Sequence, residues 1–183
     1  MKKILVPIAN GSEEMEAVII VDMLRRAGCE VVLAGDGDVV ICSRGIRIVP
    51  DLSIDEITDD DSFDAVVLPG GSQGVERFAS NTHLQHILAR HRAKNRLLAA
   101  ICAAPAVLHE FGLLHAGAVV TSHPSVANTL EAYTYTLDRV ATDGALITSR
   151  GAGTAFEFAL HIIRMLTGEA AALRIATDIV LYE

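Results

Sequence analysis

The sequence has no tryptophan, and aromatic residues make up only 4% of its 183 positions. Its core is therefore expected to be aliphatic, drawn from the Val, Ile, Leu and Ala that dominate a 51% hydrophobic composition. Cysteine is scarce: Cys29, Cys42 and Cys102 are an odd number and widely spaced. Such a set builds neither a disulfide framework nor a CxxC metal site, so no metal is expected. Long basic runs are missing as well. With 15 basic against 23 acidic residues, a net charge of −8, there is no surface for a phosphate backbone, which argues against nucleic acid as a static ligand. No apolar run approaches the length of a membrane span. Met1-Lys2-Lys3 before Ile4-Leu5-Val6 has the outline of a signal peptide, but the run is short, Pro7 interrupts it, and Glu13, Glu14 and Glu16 follow. The expectation is a soluble cytoplasmic protein, one domain over residues 1–183, burying roughly 70% of its unfolded surface.

What the chain does contain is an alternation of apolar runs and helical patterns of the βαβ kind. Lys3–Ile8 reads as a strand, Glu13–Ala27 as a helix ended by Gly28, and Glu30–Ala34 as a strand. Val39–Cys42 and Ile46–Val49, joined around Ser43-Arg44-Gly45, read as a small inserted hairpin. Ala65–Leu68 is a buried strand running into Pro69-Gly70-Gly71-Ser72. Thr82–Lys94 is a polar-faced helix whose Thr82 and Gln85 have capping-box spacing. Leu97–Ile101 is a strand, Ala103–Glu110 a helix with Pro105 in its first turn, and Ala118–Thr121 another strand. A hairpin around Asp143-Gly144 precedes a helix over Thr154–Leu166, capped by Thr154 with Glu157 and closed by Gly168. The pattern predicts an α/β fold: a mostly parallel sheet between helices, with antiparallel additions. Sites in such sheets lie at the carboxyl ends of the strands.

Three features collect at that edge. Cys102 stands where the strand Leu97–Ile101 ends and a helix begins, among the small residues Ala100, Ala103 and Ala104 that a nucleophile elbow needs. A helix start beside it would lower its pKa. Position alone does not separate a nucleophile from a packed, small hydrophobe. Gly70-Gly71 could aim backbone N–H groups into the crevice and, with Ala103, form an oxyanion hole, or it could be a tight turn needing positive φ. No G-x-G-x-x-G follows the first strand, so a dinucleotide site is not indicated. Glu13, Glu14 and Glu16 suit the first turn of a helix, but three carboxylates exceed what capping requires. One folded over Cys102 would have a raised pKa and could donate a proton. His123, before Pro124, is the best-placed base of seven histidines. His83, His86 and His91 read as solvated on the polar helix, and His109, His115 and His161 have no partner legible in the sequence.

At these residues the chain resembles the ThiJ/PfpI superfamily, and closely its Parkinsonism-associated deglycase branch with the bacterial YajL-type proteins. The matching text is Gly11-Ser12-Glu13-Glu14-Met15-Glu16-Ala17, Cys42-Ser43-Arg44, Val67-Leu68-Pro69-Gly70-Gly71 and Ala99-Ala100-Ile101-Cys102-Ala103-Ala104-Pro105. It continues with Thr121-Ser122-His123-Pro124 and the run from Thr148-Ser149-Arg150-Gly151 to Phe158. The resemblance implies a flavodoxin-like, class I glutamine amidotransferase-like α/β/α sandwich forming a homodimer. Cys102 would be the nucleophile and Glu16 its protonated partner, with oxyanion N–H groups from Gly71 and Ala103. His123 would border the pocket without an acid partner. Arg44, Arg150 and Arg26 would lie around the dimer interface and the pocket mouth. The activities implied are cofactor-free conversion of methylglyoxal or glyoxal to hydroxy acids, repair of glycated protein or nucleotide adducts, and oxidation-sensitive chaperone or stress functions. One departure stands out: Glu131-Ala132-Tyr133 replaces the human-type Gly-Gly-His-Tyr, so no second pocket histidine is offered. Two functional classes follow, an enzyme acting on α-oxoaldehydes and a redox-responsive protein whose Cys102 is oxidised to sulfinate. An amidase lacks a visible triad acid.

Overall fold

The central strands alternate faces with the two-residue period of a β-strand, and both faces are apolar. In β1 (Lys3–Ile8), Ile4, Val6 and Ile8 enter one core and Leu5 the other. In β7 (Leu97–Ile101), Leu97, Ala99 and Ile101 enter the first core, Leu98 and Ala100 the second. A sheet apolar on both sides needs a helical layer on each. The computed structural model, which describes residues 1–181, supplies both. Tyr182 and Glu183, at the end of the expected domain, lie outside the described residues.

On the first face lie α1 (Glu14–Arg26), α5 (Ala155–Thr167) and α6 (Glu169–Asp178), which bury Ile20, Leu24, Phe158, Ile162 and Ile175. On the second lie α2 (Ser72–Ser80), α3 (Thr82–Ala93) and α4 (Pro105–Glu110), with Phe78, Leu84, Leu88 and Leu108. Beside β1 and β7 the sheet contains β2 (Glu30–Gly35), β5 (Leu52–Ser53), β6 (Ala65–Leu68), β10 (Val140–Asp143) and β11 (Leu146–Ser149). Its order is β10-β11-β7-β6-β1-β2-β5, parallel except where β10 meets β11. This is the flavodoxin-like α/β/α sandwich expected. The predicted hairpin is present as β3 (Val40–Ile41) and β4 (Arg47–Ile48), paired antiparallel.

Several local expectations are corrected. The cap of α3 is Asn81, whose Oδ1 accepts from Leu84 N–H at 2.9 Å, not Thr82. Thr154 does not cap α5 with Glu157: its hydroxyl bonds Gly151 and Ser149, and Glu157 pairs with Arg139. The strand expected over Ala118–Thr121 shrinks to β8 (Val119–Val120) and pairs outside the main sheet with β9 (Thr134–Tyr135). The helices α2 and α6 were not expected. His91 is not solvated: it is 5% exposed, its Nε2 lies 2.9 Å from Leu97 O, and burial pushes its pKa down to about 4. The register Leu68↔Ala100 and Ala100↔Thr148 sets the carboxyl ends of β6, β7 and β11 side by side, which positions the site.

Candidate functional site

Cys102 follows β7 directly and has φ +65°, a left-handed conformation that side chains rarely adopt and that costs about 1–3 kcal/mol. Neighbouring strands hold it there. Its N–H donates to Ser149 O at 3.0 Å, and its carbonyl accepts the His123 N–H at 2.8 Å. This is the elbow expected from the small residues. The loop after β6 closes over it. A Cβ on Gly70 would come 2.6 Å from Cys102 Cβ and 2.9 Å from Glu16 Oε2, so only glycine fits the approach. Gly71 has φ +93°, and a Cβ there would meet Gly11 O at 2.3 Å. The N–H groups of Gly71 and Ala103 reach the sulfur. The Gly70 N–H does not enter the crevice as a third donor. It donates to Glu16 Oε2 at 2.7 Å.

The three carboxylates part company. Glu13 caps α1, accepting from Met15 N–H. Glu14 anchors the β3–β4 hairpin, accepting from Arg44 N–H at 2.8 Å and from the Ser43 hydroxyl at 2.7 Å. Glu16 has no exposed surface and lies against Cys102. Burial pushes its carboxyl up to about 7; the Gly70 N–H and the thiol pull down against this, and the charge of Glu13 adds to it. Burial also pushes the Cys102 thiol up, to about 12, and a charged Glu16 is the next cause; the N–H groups of Gly71 and Ala103 oppose them.

The helix-lowered thiol expected from the sequence is thus not what the structure holds. The helix α4 begins only at Pro105, and burial beside a carboxyl outweighs its end. Carboxyl and thiol titrate as one pair, in which protonating one allows the other to ionise. Among the described residues Glu16 Oε1 is buried without a hydrogen-bond partner, a costly state for a carboxylate oxygen that a hydroxyl beside the sulfur relieves. The sulfur faces two N–H donors and the carboxyl one. Both observations favour the pair's proton on Glu16 and the charge on sulfur.

His123 opens a 3-10 turn over Pro124–Leu130, and its Nδ1 accepts the Ser125 N–H at 3.2 Å, beside Ser125 Oγ at 2.8 Å. A neutral ring so bound carries its proton on Nε2 and acts as a donor there, which weighs against the general base expected. Arg44 sits on the hairpin turn beside Glu14, and Arg150 follows β11, with Nη1 3.3 Å from Leu137 O. Arg26 is elsewhere. It ends α1, about 15 Å along the axis from Glu16, and pairs with Asp22, so it does not reach the pocket mouth. Cys42 is buried, which with Glu14 and Glu13 pushes its thiol up to about 11. Among the described residues no three His, Cys, Asp or Glu side chains converge as metal ligands. The sequence does not point to the Ser149 carbonyl, to Ser125 or to Glu16 as the acceptor of the Gly70 N–H, because these roles arise from strand adjacency.

The DJ-1/PfpI family pattern matches residues 2–165. The chain belongs to the DJ-1/PfpI family. It is 40% identical over 185 residues to the Parkinson disease protein 7 homolog of Danio rerio, covering 98% of this chain and 97% of that one. The glutathione-independent glyoxalase DJR-1.2 of Caenorhabditis elegans is 36% identical over 168 residues, covering 90% and 88%. The oxidized DJ-1 of Toxoplasma gondii superposes with a TM-score of 0.94 at 38% identity, covering 98% of each chain. DJ-1 homolog B of Arabidopsis thaliana is longer: 95% of this chain matches at 43% identity but spans only 40% of that protein.

Proposed function

We propose that this family member is a cofactor-free, cysteine-dependent glyoxalase and deglycase of the cytoplasm, acting on methylglyoxal, glyoxal and early glycation adducts. The observation that carries the reading is a sulfur at a strained elbow, faced by the N–H groups of Gly71 and Ala103 and by the buried carboxyl of Glu16. Sulfur attacks the aldehyde carbon, and the carbonyl π pair moves onto oxygen, where the two N–H groups hold the charge. Protonated Glu16 delivers its proton to that oxygen and leaves a hemithioacetal. As a carboxylate it then takes the hydrogen of that carbon as a proton, the neighbouring carbonyl carbon receives one, and the hydroxyl proton passes from the first oxygen to the second. The first carbon is thereby oxidised and its neighbour reduced, so no cofactor is required. Water cleaves the resulting thioester and releases the hydroxy acid and the thiol. His123, a donor at Nε2, would hold the second carbonyl oxygen.

The relative named as a glutathione-independent glyoxalase supports this reading. Lactate formed from methylglyoxal by wild-type protein but not by Cys102→Ser is the expected result; equal lactate from both refutes it.

A homodimer belongs to the same proposal. Met15 and Val18 on α1 are 55% and 53% exposed, and Ile41, Ile46 and Val49 on and beside the hairpin are also exposed, apolar surface that a second copy would cover. Arg44 stands on that hairpin and Arg26 on the same helix, which suits the interface rather than the pocket for Arg26. A second reading rests on the same donors. Peroxide would oxidise the thiolate to sulfenate with release of water, a second equivalent would give sulfinate, and Glu16 would hydrogen-bond the oxidised sulfur. The protein would then guard clients under oxidative stress with little turnover.

A further inference from the structure

Three glycines border the sulfur, and they are not glycine for the same reason. Gly70 has no room for a side chain, and Gly71 has neither room nor a suitable φ. Gly151 is different. Its φ is 163°, extended backbone open to any residue. A Cβ built there meets nothing closer than His123 Cδ2 at 3.6 Å and Cys102 Sγ at 4.0 Å, both ordinary contacts. Neither conformation nor packing calls for glycine. The missing methyl leaves an open space bounded by the thiol sulfur and the histidine edge.

We propose that Gly151 sets the size of the substrate by leaving room for the group carried on the attacked aldehyde carbon. The inference deepens the glyoxalase reading and rests on it for the substrate class. Attack by Sγ makes that carbon tetrahedral, bearing sulfur, oxygen, hydrogen and one acyl group. The N–H groups of Gly71 and Ala103 take the oxygen, so the acyl group must go elsewhere, and the space over Gly151 lies between the sulfur and His123. The walls of this space do not yield. Gly151 N–H donates to Thr154 Oγ1 at 3.1 Å, its carbonyl accepts Thr154 N–H at 2.8 Å, and Thr154 Oγ1 lies 2.6 Å from Ser149 Oγ. Ser149 in turn accepts the Cys102 N–H, so sulfur and Gly151 move as one body. A methyl at position 151 cannot be relieved by shifting the loop and would subtract from the acyl space.

The test compares wild type with Gly151→Ala on glyoxal, methylglyoxal and phenylglyoxal, whose acyl groups grow in that order. The expected result is a fall on the order of tenfold or more in the phenylglyoxal-to-glyoxal ratio of kcat/KM, with methylglyoxal between, whatever happens to the absolute rates. A second arm needs no turnover: alkylation of Cys102 by iodoacetamide and by N-phenylmaleimide, followed on the Cys102 peptide by mass. The bulky-to-small rate ratio should fall in the variant by a similar factor. If wild type turns over none of the three aldehydes, the glyoxalase reading fails and the alkylation ratio alone decides the role of Gly151. An unchanged alkylation ratio, or an equal loss on all three aldehydes, overturns the proposal.

Discussion

Replacing Glu16 by glutamine tests the centre of the site through stability as well as rate. Glutamine keeps the shape: its carbonyl can accept the Gly70 N–H and its amide can donate to sulfur, but it cannot titrate. In the folded protein burial raises the carboxyl to about 7 from an ordinary 4.5. The folded site therefore binds its proton more tightly than the unfolded chain does. Below pH ~4.5 both states hold that proton and nothing is lost; as pH rises from there to about 7 wild type is destabilised, by about 3 kcal/mol in full. His91 runs the other way. Burial depresses it from 6.5 to about 4, so the fold loses stability as pH falls through that window, by a similar about 3 kcal/mol. In wild type the two trends nearly cancel. In Glu16→Gln the opposing trend is gone and that of His91 stands, so stability should rise from pH 4 to 7. Urea unfolding of both proteins across that range should show a gap that opens from near zero to about 3 kcal/mol in favour of the variant, on the order of 5–10 °C in Tm. A gap independent of pH, or a wild type that gains as much stability as the variant, would refute the buried carboxyl. The same variant should lose on the order of 10²–10⁴ in glyoxalase rate yet still form sulfinate with peroxide, since its amide can hold the oxidised sulfur.

Alkylation of Cys102 against pH should level off well below pH 12, because a protonated Glu16 lets the thiol ionise; a rate that climbs only toward pH 12 would put the pair's proton on sulfur. Cys102→Ala should abolish lactate formation while circular dichroism and sedimentation stay as in wild type, because a small residue suits the elbow. Retained activity would move the chemistry off Cys102. Wild type should sediment as a dimer at micromolar concentration, and Val18→Glu, placing a charge on the exposed stripe of α1, should shift it to monomer; a monomeric wild type would contradict the interface.

How much of this was legible in the sequence depended on how local each signal is. The strands β1, β6 and β7 announce themselves as short apolar runs ended by Pro, Gly or small residues, and the elbow follows from the alanines around Cys102. Helix α2 did not, because Gly74 sits in its interior where glycine is a poor helix former. Its presence there is tertiary: a Cβ would stand 2.7 Å from the Ser12 nitrogen. Among Glu13, Glu14 and Glu16 the helical spacing carries a signal. Glu16 falls in register with Ile20 and Leu24, four and eight residues on, and so lies on the buried stripe of α1 that faces the sheet. A carboxylate on an apolar stripe must be paired or protonated, which separates Glu16 from Glu14, whose successors Val18 and Asp22 are exposed, while Glu13, in step with Ala17 and Val21, caps the helix.

The ionisation of the thiol is not legible in the sequence, for the opposite reason. Sequence shows that a helix follows Cys102, but not how many residues intervene or what closes over the sulfur. Those depend on β7 lying between β6 and β11, although β8, β9 and β10 come between β7 and β11 along the chain. That strand order brings Gly70, which has no room for a side chain, and Gly151, which has, to the same Cys102 sulfur. Local chemistry thus proposed the nucleophile, while the crossover connections decided its charge, its proton partner and the room left for a substrate.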